Sequence, residues 1–461
     1  MAGAQSLAEA GLAHRVSLPT DTNYTSRNES YWSNDAKLRP ACIVTPRSSE
    51  EVAKAVLALK AGGHTFAARA LTISKKKIDL GLMADLTVDT DSETVRFGPG
   101  GRWADVYKAL ARYDRIVAGG REGQVGVAGL ILGGGKSFLT GRKGFACDNV
   151  LEFEVVLADG SIVKASRDEH ADLFRALKGG SNNFGIVTSF KMAMVENKKI
   201  WGGITVYSYE HLSAAIEATH DFTTNAATHP DENLVVLVSH NPNFEETVVC
   251  TLYASMTATE KAPAYNKWLA IPEITTNAKI TTEADMIAAN NTPGNYHAIW
   301  FTLTFNNDTR IMTKAAETHE TLVGELKVIV PDGNMLSQCI FQPLPKLYTE
   351  KSVEAGGNVM GLERQKDDGV LLLALVELPT ADQRAAAYPK VKAWIEEVQA
   401  FASSIGGAQD WLYLNYANPC QDPLGSYGVE NVGFMKTVAA KYDPEEVFQK
   451  LCPGGFKLSD I

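Results

Sequence analysis

The stretch VGVAGLILGGGKSFLTGRKGFACDNV, from Val125 to Val150, carries the strongest structural signal in the sequence. Its glycines remove side chains from a run that is otherwise largely apolar, which costs backbone conformational entropy. Glycine runs of this kind let backbone N–H groups approach a ligand closely, and phosphates are frequent ligands of such groups. A tight turn or close helix–strand packing is the alternative, and the run alone does not decide between them. The glycines concerned are Gly126, Gly129, Gly133, Gly134 and Gly135.

Short helices and strands alternate on both sides of this stretch. PRSSEEVAKAVLALKAGG predicts a helix, with Ser48 and Glu51 as a capping box and a glycine pair at its end. FEVVLADGSIV predicts a hairpin that turns at Asp159 and Gly160, and ADLFRALKGG predicts a helix before the strand in SNNFGIVTSFKM. The alternation therefore predicts an α+β domain with the glycine stretch in its middle.

Length and composition limit the possible classes of protein. A chain of 461 residues suggests two domains. A net charge of -10 without a run of Lys or Arg argues against nucleic acid or an anionic membrane surface as a partner. The six cysteines form no CxxC pair, so we expect free thiols and no metal site. Without a signal-peptide pattern or a segment long enough to span a membrane, we expect a cytoplasmic protein, with secretion as the alternative.

Several blocks, in this order, resemble the FAD-linked oxidases with a vanillyl-alcohol-oxidase or PCMH-type flavin domain, specifically the berberine-bridge-enzyme-like branch. The resemblance runs from about Asn23 to the C-terminus. The matching blocks are RPACIVTPRSSEEVAKAV, GPGGRWADVYKAL, VGVAGLILGGGKSF, GFACDNVLEFEVVLADGSIV, DLFRALKGGSNNFGIVTSF, WLYLNYANP, SYGVENV and KYDPEEVFQKL.

The resemblance implies an α+β architecture in three parts. Residues 1–196 would form a PCMH-type FAD-binding domain, and residues 197–405 an α+β substrate-binding domain with an antiparallel sheet. Residues 406–461 would return to the FAD domain. FAD would lie between the two domains, with its pyrophosphate against the glycine stretch. The cofactor-binding residues expected on this basis are Gly126, Gly129, Gly133, Gly134, Gly135, Ser137, Asn183, Gly185, Ile186, Val187 and Asn415.

The segment FAARALTISKKKID departs from the family. Members usually carry here a glycine-rich loop ending in a histidine that contacts the pyrophosphate and is often linked covalently to the flavin. This chain has a shorter segment, and Gly62-Gly63-His64 precedes the strand, so we reject His64 as a covalent site. The cysteine that some members carry just before the V-G-V-x-G block is also absent. The resemblance therefore implies an FAD that is noncovalent or has been lost. The residues that replace the loop glycines are Ala70, Leu71 and Thr72.

Candidate acid–base residues come from WLYLNYANP. If this segment is a strand, Tyr413 and Asn415 share one face and Tyr416 lies on the other. In several relatives of the resembled family a tyrosine of this segment is the substrate base, and we favour Tyr416 over Tyr413. Without the resemblance, core packing would be the simpler role for both tyrosines.

Glu377 is a third catalytic candidate because it interrupts the apolar run LLLALVEL. A carboxyl group in such a strand lies either at the solvent end or in the interior with a raised pKa, which would suit proton transfer. Between these two positions, we expect the solvent end.

Three functions are consistent with these residues. The leading hypothesis is an FAD-linked oxidoreductase of oxidase type, acting on a small secondary-metabolite-like alcohol, amine or hydroxylated ring. Tyr416 would take a proton while hydride passes to the flavin and oxygen reoxidises it. The alternative is a flavin-independent member of the fold that catalyses a redox-neutral cyclisation or isomerisation, with Glu377 and the tyrosines as acids. The third is a binding module without activity. The intact glycine blocks favour the first hypothesis, and the missing loop favours the second.

Overall fold

The structure is a computed structural model that describes residues 2–68, 76–196, 199–289 and 293–461. The strands in these ranges are β1 (Val16–Ser17), β2 (Cys42–Val44), β3 (Ala67–Ala68), β4 (Lys76–Ile78), β5 (Leu86–Asp89), β6 (Thr94–Phe97), β7 (Arg115–Ile116), β8 (Val150–Val156), β9 (Ile162–Ser166), β10 (Ile186–Ala193), β11 (Val195–Glu196), β12 (Ile200–Ser208), β13 (Glu232–His240), β14 (Val248–Ser255), β15 (Glu273–Thr276), β16 (Lys279–Thr281), β17 (His297–Asn306), β18 (Leu336–Leu344), β19 (Gly369–Leu378) and β20 (Ala408–Gln409).

The α-helices in the same ranges are α1 (Ala2–Leu7), α2 (Thr22–Glu29), α3 (Ser49–Ala61), α4 (Trp103–Ala111), α5 (Val127–Leu132), α6 (Thr140–Lys143), α7 (Ala171–Leu177), α8 (Leu212–Thr224), α9 (Asn266–Leu269), α10 (Glu283–Ala289), α11 (Thr309–Ile329), α12 (Lys346–Glu354), α13 (Ala381–Ser404), α14 (Val429–Tyr442) and α15 (Val447–Lys450). None of the described helices is both long and apolar enough to cross a bilayer.

The N-terminal part contains two main sheets. The first has the order β1-β2-β4-β3, with β4 parallel to both β2 and β3, and the second has the antiparallel order β5-β6-β10-β8-β9. Local signals in the sequence explain several of these elements. Ser48 caps α3 by accepting a hydrogen bond from the Glu51 amide, and β8 and β9 form the predicted hairpin around Gly160 at φ 80°.

A nine-stranded antiparallel sheet dominates the C-terminal half. Its order is β15-β12-β14-β13-β18-β19-β17-β20, with β16 also paired to β12. One face packs against α8, α11 and α13 and forms a large apolar core. The other face carries a small apolar cluster of Val235, Ile340 and Leu373, against which Trp300 and Tyr416 pack. The mixture of helices with antiparallel sheets confirms the predicted α+β class.

The last part of the chain packs back onto the N-terminal part. Helix α14 contacts α7, and the Asn183 side chain donates to the carbonyl of Phe456 and accepts from the Leu458 amide. Strand β20 belongs to the large sheet through its pairing with β17, although it follows the boundary predicted at residue 405. The domain boundaries themselves stay predictions.

Candidate functional site

The segment expected to carry the catalytic tyrosines is a turn, and the prediction of a strand there is wrong. Leu414–Tyr416 forms a 3-10 turn, closed by a hydrogen bond from the Tyr416 amide to the Tyr413 carbonyl. The alternation of faces therefore does not apply. The rings of Tyr413 and Tyr416 instead meet edge to face, with centroids 4.8 Å apart.

The hydroxyl group of Tyr413 joins this turn to the glycine stretch. It accepts hydrogen bonds from the amides of Gly135 and Lys136 at 3.0 and 2.9 Å, and from Asn415 Nδ2 at 3.1 Å. Gly134 and Gly135 have φ values of 103° and 85°, a conformation that favours glycine. Burial raises the pKa of Tyr413, and the neighbouring Tyr416 raises it further. Tyr413 therefore carries a neutral hydroxyl group that holds the backbone of Gly134, Gly135 and Lys136 in place. We call these three residues the glycine turn.

The glycines of the stretch fall into two groups. A Cβ atom at Gly133 would collide with the amide of Asn415, and one at Gly134 would collide with Met360. Close packing explains these two positions. Gly126 and Gly129 are exposed, and a Cβ atom there would meet nothing within 4 Å. Their backbone therefore faces open space, and these positions allow a ligand to approach.

Two further predicted cofactor residues have structural contacts. Ser137 is 2% exposed, and its hydroxyl oxygen accepts from the Leu139 amide. Asn183 is fully buried, and its side-chain oxygen accepts from Gln449 and from the Leu458 amide. The side chains of both residues are already engaged by the protein.

The remaining predicted cofactor residues begin β10. Gly185 packs against Val155 so closely that a Cβ atom could not be added. Ile186 and Val187 pair with β8 on one edge, whereas β6 pairs only with the later part of β10. Among the described residues, the other edge of Ile186 and Val187 has no strand partner, so backbone groups are available there for a ligand.

The hydroxyl group of Tyr416 lies in a polar group of three side chains. Arg121 Nη2 donates to Gln342 Oε1 at 2.6 Å and to the Tyr416 oxygen at 3.4 Å. Gln342 Nε2 also donates to that oxygen, at 3.1 Å. Two donors, one of them cationic, therefore converge on a phenolic oxygen, an arrangement that stabilises negative charge there. We call Arg121, Gln342 and Tyr416 the polar triad.

Half-buried aromatic rings adjoin the polar triad. The ring centroid of Trp300 lies 6.0 Å from that of Tyr416, and the Trp32 ring meets Trp300 edge to face at the same distance. All three rings keep part of their surface exposed. We call these three rings the aromatic wall, and the partly exposed region that they share with the polar triad the cleft. Partly exposed rings of this kind suit a flat apolar ligand.

Glu377 is buried, which corrects the expectation that it lies at the solvent end of its strand. It is 1% exposed, and its Oε1 atom is buried without a hydrogen-bond partner among the described residues. In β19 it alternates with Leu375 and Leu373, so it lies on the same face of the sheet as Trp300, the strand partner of Leu375. Burial raises the pKa of Glu377 to about 7. No hydrogen bond joins Glu377 to either predicted catalytic tyrosine.

The shortened loop falls partly outside the described residues. The replacements at Ala70, Leu71 and Thr72 lie there, so the missing histidine loop stays a sequence observation. His64 is partly exposed and lies beside Ser6 near the N-terminus, with its Nε2 atom 3.5 Å from the Ser6 hydroxyl oxygen.

Four residues of the site were not singled out from the sequence, namely Arg121, Gln342, Trp32 and Trp300. Gln342 interrupts the apolar run CIFQPL as Glu377 interrupts LLLALVEL, so the same signal could have found it. Arg121 directly follows a glycine pair in GGREGQ, and its isolation from acidic side chains appears only in three dimensions.

Comparisons with known proteins agree on a flavin-binding chain. Residues 40–166 match the family described as FAD binding domain. The FAD-dependent monooxygenase sdcF of Emericella nidulans is 35% identical, over 97% of this chain and 96% of that protein. The FAD-dependent monooxygenase drtC of Aspergillus calidoustus is 32% identical, over 99% of this chain and 90% of that protein.

Solved structures show the same fold at low sequence identity. A BBE-like 1 variant of Physcomitrella patens superposes with a TM-score of 0.81 at 18% identity, covering 99% of both chains. The 6-hydroxy-D-nicotine oxidase of Arthrobacter nicotinovorans gives 0.77 at 22% identity, covering 95% of this chain and 98% of that one. These similarities confirm the predicted fold with its PCMH-type FAD-binding domain.

Replacing Tyr413 by Phe should destabilise the protein. The substitution leaves three donors at the glycine turn without their acceptor, which we expect to cost roughly 2–4 kcal/mol in the free energy of unfolding. Urea denaturation measures this. The matched control is Tyr416→Phe, where the hydroxyl group is half-buried and the loss should stay below about 1.5 kcal/mol. Equal losses in the two variants would contradict the structural role of Tyr413.

Replacing Glu377 by Gln should change how stability depends on pH. The folded-state pKa, about 7, lies above the ordinary value of a glutamate, 4.5, so the folded protein holds the proton more tightly. The wild-type protein therefore has this stabilisation in full below a pH of about 4.5. It loses roughly 3 kcal/mol in the free energy of unfolding as the pH rises through about 7. Unfolding free energies at pH about 5 and about 8 should differ less in Glu377→Gln. The exposed Glu363→Gln serves as control and should behave as wild type.

Proposed function

Since the chain belongs to the family of FAD-dependent monooxygenases and is an FAD-dependent oxidoreductase, we propose that it oxidises a small hydroxylated molecule bound beside Tyr416. The predicted resemblance to berberine-bridge-enzyme-like FAD oxidoreductases is thereby confirmed. One observation carries the proposal: the Tyr416 oxygen receives hydrogen bonds from both Arg121 and Gln342.

The residues present fit FAD at two places. Gly126 and Gly129 offer exposed backbone with free space in front of it, as a pyrophosphate needs. The unpaired edge of Ile186 and Val187 offers backbone donors and acceptors of the kind that an adenine ring uses. These residues would hold FAD, which supplies the two-electron redox chemistry when it is bound. Gly133 and Gly134 would shape the site through their packing.

Tyr416 is better suited than Tyr413 to act as the base. The Tyr413 oxygen is buried and already accepts three hydrogen bonds, so a substrate proton has no route to it. Tyr416 is half-buried and belongs to the polar triad. In the proposed reaction, Tyr416 reacts as its phenolate, takes the proton of a substrate hydroxyl group and becomes a neutral phenol. The Arg121 guanidinium stabilises the negative charge that develops between the two oxygens.

The partner in this proposal is a small molecule, and nucleic acid plays no part. The aromatic wall of Trp32, Trp300 and Tyr416 suits a flat ring of the kind found in secondary metabolites. The relatives named FAD-dependent monooxygenases do not favour the redox-neutral alternative. Whether an oxygen atom enters the product or oxygen only accepts electrons is decided by mass spectrometry of products formed under ¹⁸O₂.

The flavin should be noncovalent, because the sequence lacks both residues that form covalent links in the resembled family. The test is the visible absorption spectrum of the purified protein, followed by that of the supernatant after denaturation. All flavin absorbance should move to the supernatant. Flavin that stays with the precipitated protein would contradict a noncovalent link, and the absence of flavin even after incubation with FAD would overturn the proposed function.

Replacing Tyr416 by Phe should lower kcat by roughly 100-fold to 10,000-fold, since it removes the base but keeps the ring. The flavin content should not change. Oxygen uptake with a panel of hydroxylated aromatic compounds and alcohols measures the rate. The control is Tyr442→Phe, a partly exposed tyrosine bound to Asp172 on α7. A kcat equal to that of wild type in Tyr416→Phe would show that Tyr416 is not the base.

A further inference from the structure

Among the residues that the structure describes, Arg121 has no acidic partner. Its Nη2 atom donates hydrogen bonds to Gln342 and Tyr416, whereas Nε and Nη1 make no hydrogen bond to any described residue. Neither nitrogen is among the buried polar atoms that lack a partner, so both remain accessible to solvent. The chain has 54 acidic and 44 basic residues, yet no described carboxylate pairs with this guanidinium. Two of its nitrogens are therefore free to bind a group in the cleft.

A buried lysine near Arg121 also has no acidic partner among the described residues. Lys136 is 4% exposed, and its Nζ atom donates to the Pro343 carbonyl at 2.7 Å, a neutral acceptor. Burial lowers the pKa of Lys136, and the charge of Arg121 lowers it further. These effects favour the neutral amine of Lys136, so the charge that an anionic group of a ligand would neutralise here is that of Arg121.

The geometry also limits where the anion sits in the ligand. Arg121 Nη2 is 3.4 Å from the Tyr416 oxygen, so groups that bind the two side chains must be close neighbours in the ligand. We propose that the substrate is a planar hydroxy acid. Its carboxylate, or an equally acidic group, binds Arg121, and the adjacent hydroxyl group meets Tyr416. This inference rests on the proposed function, because it assigns the hydroxyl group to Tyr416.

The probes are 2,4-dihydroxybenzoate and its methyl ester, which differ in the anionic charge beside the reacting hydroxyl group. They are titrated into the FAD-loaded protein, and binding is followed by quenching of tryptophan fluorescence, since Trp300 adjoins Tyr416. The acid should bind roughly 10- to 100-fold more tightly than the ester, the effect expected of one or two hydrogen bonds to a charged group.

Three variants test the assignment to Arg121. Arg121→Gln should remove the preference for the acid, and Arg121→Lys should keep part of it, because lysine retains the charge without the planar fork. Arg112→Gln is the matched control at an exposed arginine after α4, and it should keep the full preference. Flavin content is measured in every variant by absorbance.

Several outcomes would overturn the proposal. Equal affinities of the acid and the ester for the wild-type protein would do so, as would failure of the acid to bind at millimolar concentration. Loss of FAD from Arg121→Gln, with the preference for the acid unchanged in the reloaded protein, would assign Arg121 to the cofactor. Failure of the proposed function is recognised separately, because it appears as unchanged turnover in Tyr416→Phe.

Discussion

The hydroxyl group of Tyr413 is the point on which the geometry of the cleft depends. It accepts two backbone amides of the glycine turn and the amide of Asn415, so it fixes the C-terminal turn against the N-terminal part of the chain. Asn415 extends the connection by donating to the carbonyls of Leu130 and Gly133. The glycines allow this because their backbone reaches left-handed conformations and leaves room for the side chains that cross it. Tyr416 takes its place in the cleft as a consequence of this connection.

The same connection separates structural from ligand-facing parts of the glycine stretch. The backbone donors of Gly135 and Lys136 are used by Tyr413, whereas Gly126 and Gly129 at the start of the stretch remain exposed. In our proposal, the stretch thus performs two tasks. Its later glycines let two parts of the chain approach each other, and Gly126 and Gly129 leave space for a cofactor. This division explains why five glycines occur within ten residues of an otherwise apolar run.

Much of the fold could be predicted from the sequence, because local signals and the order of the matched blocks both determine it. The helix after Ser48 and the hairpin at Gly160 follow from capping and turn chemistry. The C-terminal tyrosines are candidates from the sequence and stay predictions as catalytic residues, and their geometry could not be predicted, because alternation assumes a strand and the chain forms a turn. Burial of Glu377 depends on what covers its strand, which alternation along the strand cannot show. Arg121 was missed because the absence of an acidic partner is a property of its neighbours in space.

Several buried or half-buried polar groups have incomplete partners among the described residues. Within that part of the chain, Arg121 has no acidic partner, Lys136 has only a neutral acceptor, and the buried carboxyl group of Glu377 has an oxygen without a partner. Buried or half-buried charges of this kind oppose folding unless another group compensates them. A fold selected only for stability would pair such groups, so the guanidinium of Arg121 beside Tyr416 points to a ligand that completes it. The polar triad beside the aromatic wall then specifies two properties of that ligand: a flat body and an anionic group next to the hydroxyl group that reacts.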